Sequence, residues 1–372
     1  MANMLQKQPI FIAVIGVGGV GKAFLSQYDQ LRQRLDPQSS NIDLALILAR
    51  TSKKQVLSER YGALDASKVP QMLEESNKPY LPFDSIVEFL EATPGKVVLV
   101  DNTSDLDLAK SYPRILEKGI SIVTPNKKGF SDDIQLWDAI FSSALKGGSH
   151  VYHESTVGAG LPVISTLKEL VQTGDEVTKI EGVFSGTMSF LFNSFMPVGG
   201  GGGKFSAEVK KAKDLGFTEP DPRDDLNGLD VARKLTILAR LAGLEIESPT
   251  SFPVQSLIPK ALESCSSGDE FMEKLPDHDD EMEELKDAAA KEGKVVRFVG
   301  SIDTPSGEVK VGLEKFDASH PIAALKGSDN IINFYTKRYG SNPLIIQGAG
   351  AGGEVTAMGV TGDLIKVIRL LR

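Results

Sequence analysis

A short apolar run at residues 10–15 opens directly into the glycine-rich segment Gly16-Val17-Gly18-Gly19-Val20-Gly21. The run has the length and β-branched content of a strand buried in a parallel sheet, and residues 22–35 have the pattern of a helix. In G-x-G-x-x-G the first glycine permits a tight turn, the second admits a pyrophosphate and the third lets the helix pack on the strand. The phosphates then meet the amides at the positive end of the helix. The candidate dinucleotide-binding residues are Gly16, Gly18, Gly19, Val20 and Gly21; a glycine-rich turn without a ligand is the alternative.

A second apolar strand, residues 42–49, ends in Arg50 rather than in the acidic residue that binds a ribose 2′-hydroxyl. Arg50 and the following segment 51–54 supply a guanidinium, two hydroxyls and two ammonium groups, which suit a 2′-phosphate. We therefore expect NADP, with NAD as a possible second cofactor. A basic loop facing solvent explains Lys53 and Lys54 equally well.

Two further predicted strands, 96–100 and 120–123, also end in polar residues. In an open parallel sheet the ligand lies beyond the carboxyl ends of the strands, so these ends belong to the nicotinamide half of the site. Thr103, Ser104 and Lys127 are the candidates there. Ordinary turn chemistry is the alternative for each of them.

The segment 215–234 is dense in carboxylates and broken by two prolines, so a helix is expected to begin near Asp224 and to end near Gly243. Asp230 and Lys234 are four residues apart and share one face of that helix, and Glu219 precedes it on a loop that can fold back above the pair. Taken alone, such a pair is usually a solvated surface ion pair. A hydride carrier elsewhere in the chain favours a catalytic interpretation.

The rest of the chain predicts a second domain of the α+β class. Strands are expected at 179–184, 295–302, 309–314 and 331–336, and surface helices over 269–292. Five consecutive glycines at 199–203 predict a mobile surface loop. A second glycine-rich segment, 348–353, precedes a helix to Arg372, and Gly350 is its candidate contact with the cofactor. A tight turn onto the terminal helix is the alternative.

The predicted fold class is α/β: a Rossmann-type doubly wound parallel sheet domain plus an α+β catalytic and dimerisation domain. We expect the dinucleotide-binding domain at 1–152, completed by the C-terminal segment 350–372. Residues 153–349 then form the catalytic and dimerisation region.

Composition excludes several other classes of protein. The net charge of −9 comes without a long basic tract, which argues against nucleic acid and anionic membranes as partners. The one cysteine, Cys265, excludes an internal disulfide, and four scattered histidines leave no zinc site. The first eight residues lack the apolar core of a signal peptide, so we expect a cytoplasmic protein.

Six motifs carry a resemblance to a known family over the whole chain: 16–21, 101–103, 124–127, 154–162, 184–187 and 219–234. In this order they resemble homoserine dehydrogenase of the fungal, monofunctional type. The resemblance implies reversible transfer of hydride between NAD(P)H and L-aspartate 4-semialdehyde, giving L-homoserine for threonine and methionine biosynthesis. It also implies a homodimer, and the length of the chain is typical of a protein without a kinase or a regulatory domain.

The resemblance assigns roles to particular residues. Lys234 corresponds to the catalytic acid or base, and Lys127 to a lysine beside nicotinamide and substrate. Glu219 and Asp230 correspond to carboxylates that hold the amino group of the substrate. The remaining substrate-binding residues implied are Asp225, Thr187 and Gly186.

The segment 154–161 combines a carboxylate with glycines that let backbone carbonyls converge, as an all-oxygen cation site requires. A plain glycine turn before a helix at 162–172 explains the same residues. The resemblance implies Na⁺, held by Glu154 and the carbonyls of Val157, Ala159 and Leu161.

Two departures from the family and two rival functions remain, and the first departure is the unusually glycine-rich loop at 199–203. Family members often carry Tyr where this chain has Phe217, so a hydrogen bond from a phenol is absent or replaced. An acylating semialdehyde dehydrogenase needs a thiolate, for which only Cys265 is available. An NADP-binding regulatory protein, in which Asp230 and Lys234 are an ordinary surface pair, is the second rival.

Overall fold

The computed structural model describes residues 8–35 and 42–371. Contacts divide the chain into two compact units, which we call the first unit (Met1–Gly160 with Gly352–Arg372) and the second unit (Leu161–Ala351). The expectations of no signal peptide and of a terminal helix reaching Arg372 concern the two ends of the chain, residues 1–7 and 372. Both ends lie outside the described residues.

Six strands form the sheet of the first unit: β1 (Gln8–Ile15), β2 (Ile42–Arg50), β3 (Gln55–Leu57), β4 (Lys96–Asp101), β5 (Ser121–Val123) and β6 (Val151–Tyr152). Their order is β3-β2-β1-β4-β5-β6, and neighbours are parallel except β2 with β3. The four predicted strands are confirmed. The short β3 and β6 were not predicted, because two or three residues carry no periodic pattern.

Helices cover both faces of this sheet, which is why its central strands are apolar throughout. The helices before residue 160 are α1 (Gly19–Arg34), α2 (Val69–Glu75), α3 (Phe83–Glu91), α4 (Leu106–Lys110), α5 (Tyr112–Glu117), α6 (Lys128–Ser131) and α7 (Ile134–Gly147). Helix α1 begins at Gly19, three residues earlier than the expected Lys22, since the glycine motif itself forms the first turn.

An antiparallel sheet organises the second unit. Its strands are β7 (Val177–Val183), β8 (Lys294–Asp303), β9 (Glu308–Asp317), β10 (Asn330–Thr336) and β11 (Leu344–Gly348). They lie in the order β11-β10-β7-β8-β9 and all neighbours are antiparallel. The four predicted strands are confirmed, and β11 was not predicted.

The helices of the second unit include the one that carries the candidate catalytic residue Lys234. They are α8 (Val163–Gln172), α9 (Gly186–Phe195), α10 (Phe205–Asp214), α11 (Arg223–Leu226), α12 (Leu229–Leu241), α13 (Gly268–Lys274), α14 (Asp279–Lys291) and α15 (Pro321–Ala324). Short 3-10 turns occur in both units, at Ala66–Lys68, Glu154–Thr156, Lys260–Leu262 and Leu275–His278.

The expectation of one continuous helix from Asp224 is wrong. The chain forms two helices, α11 and α12, separated at Gly228, whose φ of +75° is left-handed. A Cβ at Gly228 would lie 3.2 Å from Phe298 Cζ, so the break also brings the backbone close to the sheet. The periodic leucines of this segment do not reveal the break, because the apolar spacing continues across it.

The last helix, α16 (Gly353–Leu370), belongs to the first unit and packs beside α1. Its apolar side chains Val360, Leu364 and Val367 join the core formed by α1 and the parallel sheet. The C-terminal segment therefore completes the core of the first unit.

Candidate active site and cofactor site

The glycine motif forms a tight turn between β1 and α1. Gly16 has a φ of +91°, and a Cβ there would lie 2.8 Å from Thr103 Cγ2. A Cβ at Gly21 would lie 2.0 Å from the carbonyl oxygen of Gly16, so the third glycine permits the close packing of helix and turn. At Gly18 and Gly19 a Cβ meets no atom of the described residues within 4 Å. These two glycines thus leave space beside the first turn of α1, where helix amides lack intrahelical partners.

The basic end of β2 supports this turn. The carbonyl of Arg50 accepts hydrogen bonds from the amides of Gly16 and Val17, at 2.8 and 3.2 Å. The guanidinium is buried, with 7% of the residue exposed, and its Nη1 has no hydrogen-bond partner among the described residues. A buried guanidinium nitrogen without a hydrogen-bond partner among the described residues fits an anionic group such as a phosphate.

Asn102 is a residue of this site that sequence reasoning missed. Both polar atoms of its carboxamide are buried and have no hydrogen-bond partner among the described residues. Its Nδ2 lies 3.7 Å from the position of a Cβ on Gly21. The available signal was the polar segment after β4, from which Thr103 and Ser104 were chosen as candidates instead of Asn102.

A buried hydrogen-bond network fixes the loop after β4. Asp101 is fully buried, and its Oδ1 accepts the amide of Thr103 at 2.7 Å. Its Oδ2 accepts the hydroxyl of Tyr112 and the amide nitrogen of Asn126, the latter at 3.1 Å. Burial raises the pKa of Asp101, and burial together with this carboxylate raises the pKa of Tyr112 well above its ordinary value. The network holds the strand ends that carry Thr103 and, one residue beyond Asn126, Lys127.

Lys127 lies at the start of helix α6, and its carbonyl accepts the amides of Phe130 and Ser131 at 3.0 and 2.9 Å. Ser104 is exposed on the loop after β4. The structure therefore places both candidates at the carboxyl ends of the parallel strands, as expected.

Lys234 lies on α12 in a nearly buried position, with 8% of the residue exposed. Its Nζ donates to the carbonyl of Phe184 at 2.7 Å and lies 2.6 Å from Asp230 Oδ2. Phe184 directly follows β7, so the lysine is held between a strand end and its own helix. The burial of Lys234 together with this third anchor argues against a solvated surface ion pair.

A second set of contacts brings three more candidates together. Asp225 Oδ1 accepts the hydroxyl of Thr187 and its Oδ2 accepts the amide of Glu219, both at 2.8 Å. The Thr187 hydroxyl is also 2.7 Å from the carbonyl of Phe217. Gly186 precedes Thr187 in the first turn of α9, and a Cβ there would lie 3.1 Å from the Ser328 carbonyl oxygen.

The charges of this cluster interact. Burial raises the pKa of Asp225, and the nearby charges of Glu219 and Asp230 raise it further, against the lowering effect of its hydrogen bonds. The side chain of Glu219 is exposed, and its loop contacts Asp225 through the backbone rather than through the carboxylate. Three carboxylates and one ammonium therefore lie in one part of the second unit.

Phe217 stacks on Phe190, with ring centroids 4.5 Å apart and an angle of 23° between the rings. This contact anchors the loop that carries Glu219 to helix α9. Phe217, which stands where family members often carry Tyr, therefore has a packing role.

The candidate cation site follows β6. Gly158 and Ala159 have φ values of +75° and +54°, and a left-handed alanine is an uncommon, strained conformation. Glu154 is buried; its amide donates to Asp363 Oδ2 at 2.7 Å and its Oε2 lies 3.4 Å from Lys366 Nζ. Burial raises the pKa of Asp363, although Lys366 lowers it.

Val157 lies in this turn in the first unit, whereas Leu161 is the first residue of the second unit, and its carbonyl accepts the amide of Val163. The described residues contain no group of three or more His, Cys, Asp or Glu side chains able to hold a metal ion. A single carboxylate with backbone carbonyls fits a monovalent cation better than a divalent one.

The structure also describes Gly350 and Cys265. Gly350 belongs to the second unit, where a Cβ would lie 2.0 Å from Asn330 Nδ2; Gly353, at the start of α16, is the glycine beside Gly19. Cys265 lies on the segment before α13, and its carbonyl accepts Arg223 Nη1 at 2.7 Å. Arg223 also forms an ion pair with Asp221, which ties this segment to the turn at Asp221.

The loop at 199–203 makes specific contacts. A Cβ at Gly202 would lie 2.1 Å from the carbonyl oxygen of Phe195, and Lys286 Nζ donates to the carbonyl of Gly203 at 3.0 Å. Among the described residues, no helix is long and apolar enough to cross a membrane.

Comparison with known proteins places the chain in a family. Sequence models of that family match both parts: homoserine dehydrogenase over residues 162–365 and the homoserine dehydrogenase NAD-binding domain over residues 16–154. The chain is 57% identical to homoserine dehydrogenase of Emericella nidulans, covering 98% of this chain and 99% of that protein. It is 54% identical to homoserine dehydrogenase of Saccharomyces cerevisiae, covering 97% and 98%.

Solved structures agree in fold. A crystal structure of a Candida auris protein of unknown function superposes with a TM-score of 0.91 at 48% identity, covering 98% of this chain and 99% of that one. A hyperthermophilic archaeal homoserine dehydrogenase in complex with NADPH has a TM-score of 0.71 at 23% identity, covering 98% and 100%. The glycine turn, the lysine and carboxylate cluster and these relatives lead to one conclusion: the chain belongs to the homoserine dehydrogenase family, and it is an oxidoreductase that uses a nicotinamide cofactor.

Proposed function

We propose that this homoserine dehydrogenase reduces L-aspartate 4-semialdehyde to L-homoserine with NADPH, and that Lys234 is its catalytic acid. The observation that carries the proposal is the buried ammonium of Lys234, held at 2.7 Å by the Phe184 carbonyl and at 2.6 Å by Asp230. The bound nicotinamide supplies the hydride. Reduction of an aldehyde leaves negative charge on its oxygen, and a positioned ammonium both stabilises that charge and donates a proton.

The carboxylates around Lys234 suit the other end of the substrate. An amino acid brings an ammonium group, and Asp225, Asp230 and Glu219 provide negative charge for it. The Thr187 hydroxyl and the Glu219 amide hold the Asp225 carboxylate in one orientation, which reduces the entropy lost on binding. Gly186 and Thr187, in the first turn of α9, offer helix amides to the substrate carboxylate. Lys127 is the proposed second lysine on the cofactor side.

NADP is the proposed cofactor. The buried Nη1 of Arg50 and the unpaired carboxamide of Asn102 support a phosphate-rich ligand at the glycine turn, with Thr103 and Ser104 at the nicotinamide end. Arg50 pairs a 2′-phosphate bidentately, whereas no acidic residue follows β2 to bind the 2′-hydroxyl of NAD.

We also propose that Na⁺ binds at Glu154 with the carbonyls of Val157, Ala159 and Leu161. The left-handed Gly158 and Ala159 support this, since they turn successive carbonyls away from the strand direction. Lys366 already balances part of the charge of Glu154, so a monovalent ion suits the remaining charge.

A cytoplasmic homodimer is the proposed state of the protein. The sheet of the second unit has two edges, β9 and β11, and residues 253–255 hydrogen-bond to β9 near Val311. Light scattering at micromolar concentration checks the mass, and a monomer contradicts the dimer. A fluorescent fusion checks the compartment.

The reaction is tested by following NADPH at 340 nm while the enzyme oxidises homoserine with NADP. Activity with homoserine, and none with serine or threonine, is the expected result. The same assay without homoserine but with phosphate and aspartate 4-semialdehyde tests the acylating alternative. Activity that is lost in Cys265→Ser, or no activity with homoserine, would contradict the proposal.

A further inference from the structure

Arg50 is held by one aromatic side chain, Tyr80. The Arg50 Nε donates to the phenol oxygen of Tyr80 at 2.7 Å, and the guanidinium carbon lies 3.8 Å from the centre of the Tyr80 ring. A single residue thus uses one hydrogen-bond donor of the guanidinium and also packs its ring against the guanidinium. No sequence signal pointed to Tyr80, which is 30 residues away from Arg50.

The hydroxyl of Tyr80 makes two hydrogen bonds. Its oxygen accepts from Arg50 and donates to the carbonyl of Thr51 at 3.0 Å. The Thr51 hydroxyl oxygen accepts the amides of Lys53 and Lys54 at 3.2 and 2.9 Å. Tyr80 therefore ties the guanidinium to the basic turn that follows β2, and its own orientation is set by the same two hydrogen bonds.

The segment that presents Tyr80 is itself fixed to β3. Gln55, which is fully buried, donates from Nε2 to the carbonyl of Pro79 at 2.8 Å. The hydroxyl of Ser76 donates to the carbonyl of Gln55 at 2.7 Å. The ring consequently stands at a defined place although much of it is exposed.

We propose that Tyr80 is a positioning residue for NADP specificity, which acts by holding Arg50 in the orientation that receives the 2′-phosphate. An arginine side chain loses substantial rotamer freedom when it binds a phosphate. Tyr80 removes that freedom before the cofactor arrives, and its hydroxyl engages Nε rather than the terminal nitrogens. This inference rests on the proposed preference for NADP.

The test measures binding of NADPH and NADH by calorimetry, and the KM and kcat for both cofactors. Tyr80→Phe removes both hydrogen bonds and keeps the ring, and it should weaken NADPH binding about 5-fold. Tyr80→Ala also removes the stacking and should weaken it about 20-fold. NADH binding should change less than about 2-fold, and the loss should appear in KM for NADPH rather than in kcat.

Tyr61→Phe is the matched control, since the Tyr61 hydroxyl also donates to a backbone carbonyl, that of Phe89 at 3.1 Å, in the same unit. It should leave both affinities unchanged. In an Arg50→Ala background, Tyr80→Phe should change NADPH binding less than about 2-fold, because the residue acts through Arg50.

Two outcomes overturn the inference while the NADP proposal stands. In the first, Arg50→Ala weakens NADPH binding and both Tyr80 variants bind it as the parent does, so Tyr80 has no positioning role. In the second, the Tyr80 variants weaken NADPH and NADH equally, so Tyr80 does not act on the 2′-phosphate. If Arg50→Ala binds NADPH as tightly as the parent, the proposed NADP preference fails as well.

Discussion

The two candidate sites are built from different materials. In the first unit the glycine turn at residues 16–21 is made mainly of backbone, namely glycines and helix amides, with one guanidinium, that of Arg50 at the end of β2. In the second unit the candidate active site is made of charged side chains, Lys234 and three carboxylates. Thr187 and the Glu219 amide hold Asp225, and the Phe184 carbonyl holds Lys234. A backbone site is sensitive to added volume and a side-chain site to removed charge, so each fails under a different kind of substitution.

The largest expected effect comes from removing the ammonium in the second unit. Lys234→Ala should lower kcat by ~10²–10⁴-fold, the usual contribution of a positioned acid or base. NADPH binding should be nearly unchanged, because the lysine belongs to the unit that lacks the glycine turn. Steady-state kinetics and calorimetry of NADPH measure the two quantities.

Lys274→Ala is the control for this variant, because Lys274 forms an exposed pair with Glu270 at the same spacing and the same 2.6 Å distance. It should have no effect on kcat. A Lys234→Ala enzyme with near-normal kcat would show that Lys234 is half of a structural ion pair and that the proton comes from another group.

A side chain added within the glycine motif of the first unit should lower the free energy of unfolding where it meets the backbone. In Gly21→Ala the new Cβ lies 2.0 Å from the Gly16 carbonyl oxygen, so the turn must shift, and the free energy of unfolding should fall by about 3 kcal/mol. Gly18→Ala meets no described atom within 4 Å and should keep its stability while it weakens NADPH binding. Thermal denaturation and calorimetry distinguish the two. NADPH binding by Gly18→Ala that is as tight as in the parent would contradict the assignment of Gly18 to the pyrophosphate.

The charge of Asp225 predicts a pH dependence in the second unit. Because the pKa of Asp225 is raised, the carboxylate is protonated at a higher pH than an ordinary aspartate, and KM for homoserine should rise as the pH falls through that pKa. Asp225→Asn should raise KM about 10-fold at pH 7 and remove the dependence. KM measured from pH 5 to 8 tests this, and an unchanged profile in Asp225→Asn would rule out Asp225 as its source.

The same raised pKa affects folding with a defined sign. The folded state binds the proton more tightly than the unfolded state, so the contribution of Asp225 to stability is fully present below the ordinary aspartate pKa. It is lost as the pH rises through the raised pKa. Asp225→Asn should flatten this part of the curve of unfolding free energy against pH.

The smallest expected effect concerns the loop that carries Glu219. Phe217→Leu removes the stacking on Phe190 and should lower the free energy of unfolding by about 1 kcal/mol. KM for homoserine should rise slightly, while Phe217→Tyr should retain both values. A denaturant titration measures the change, and a large fall in kcat would show that the ring contacts the substrate rather than the loop.

The strands and the glycine turn were predictable because their signals are local. The apolar runs at residues 10–15 and 42–49 directly predict buried strands, and the spacing of the glycines predicts the turn. The break between α11 and α12 was missed, because apolar periodicity ran through Asn227 and Gly228 and masked the turn residues. Asp101 and Tyr80 were missed because their roles depend on partners far away in the chain. Asn102 was missed because the polar segment after β4 favoured Thr103 and Ser104 instead.

The sequence by itself determined the class of fold, the cofactor type and the family, since these follow from patterns within short segments. The tertiary structure alone decided which side chains meet. The Phe184 carbonyl reaches Lys234 across 50 residues, and Tyr80 reaches Arg50 across 30. Such contacts depend on the packing of strand ends against helices, and no local pattern encodes them, because the hydrophobic effect that drives the packing is non-directional.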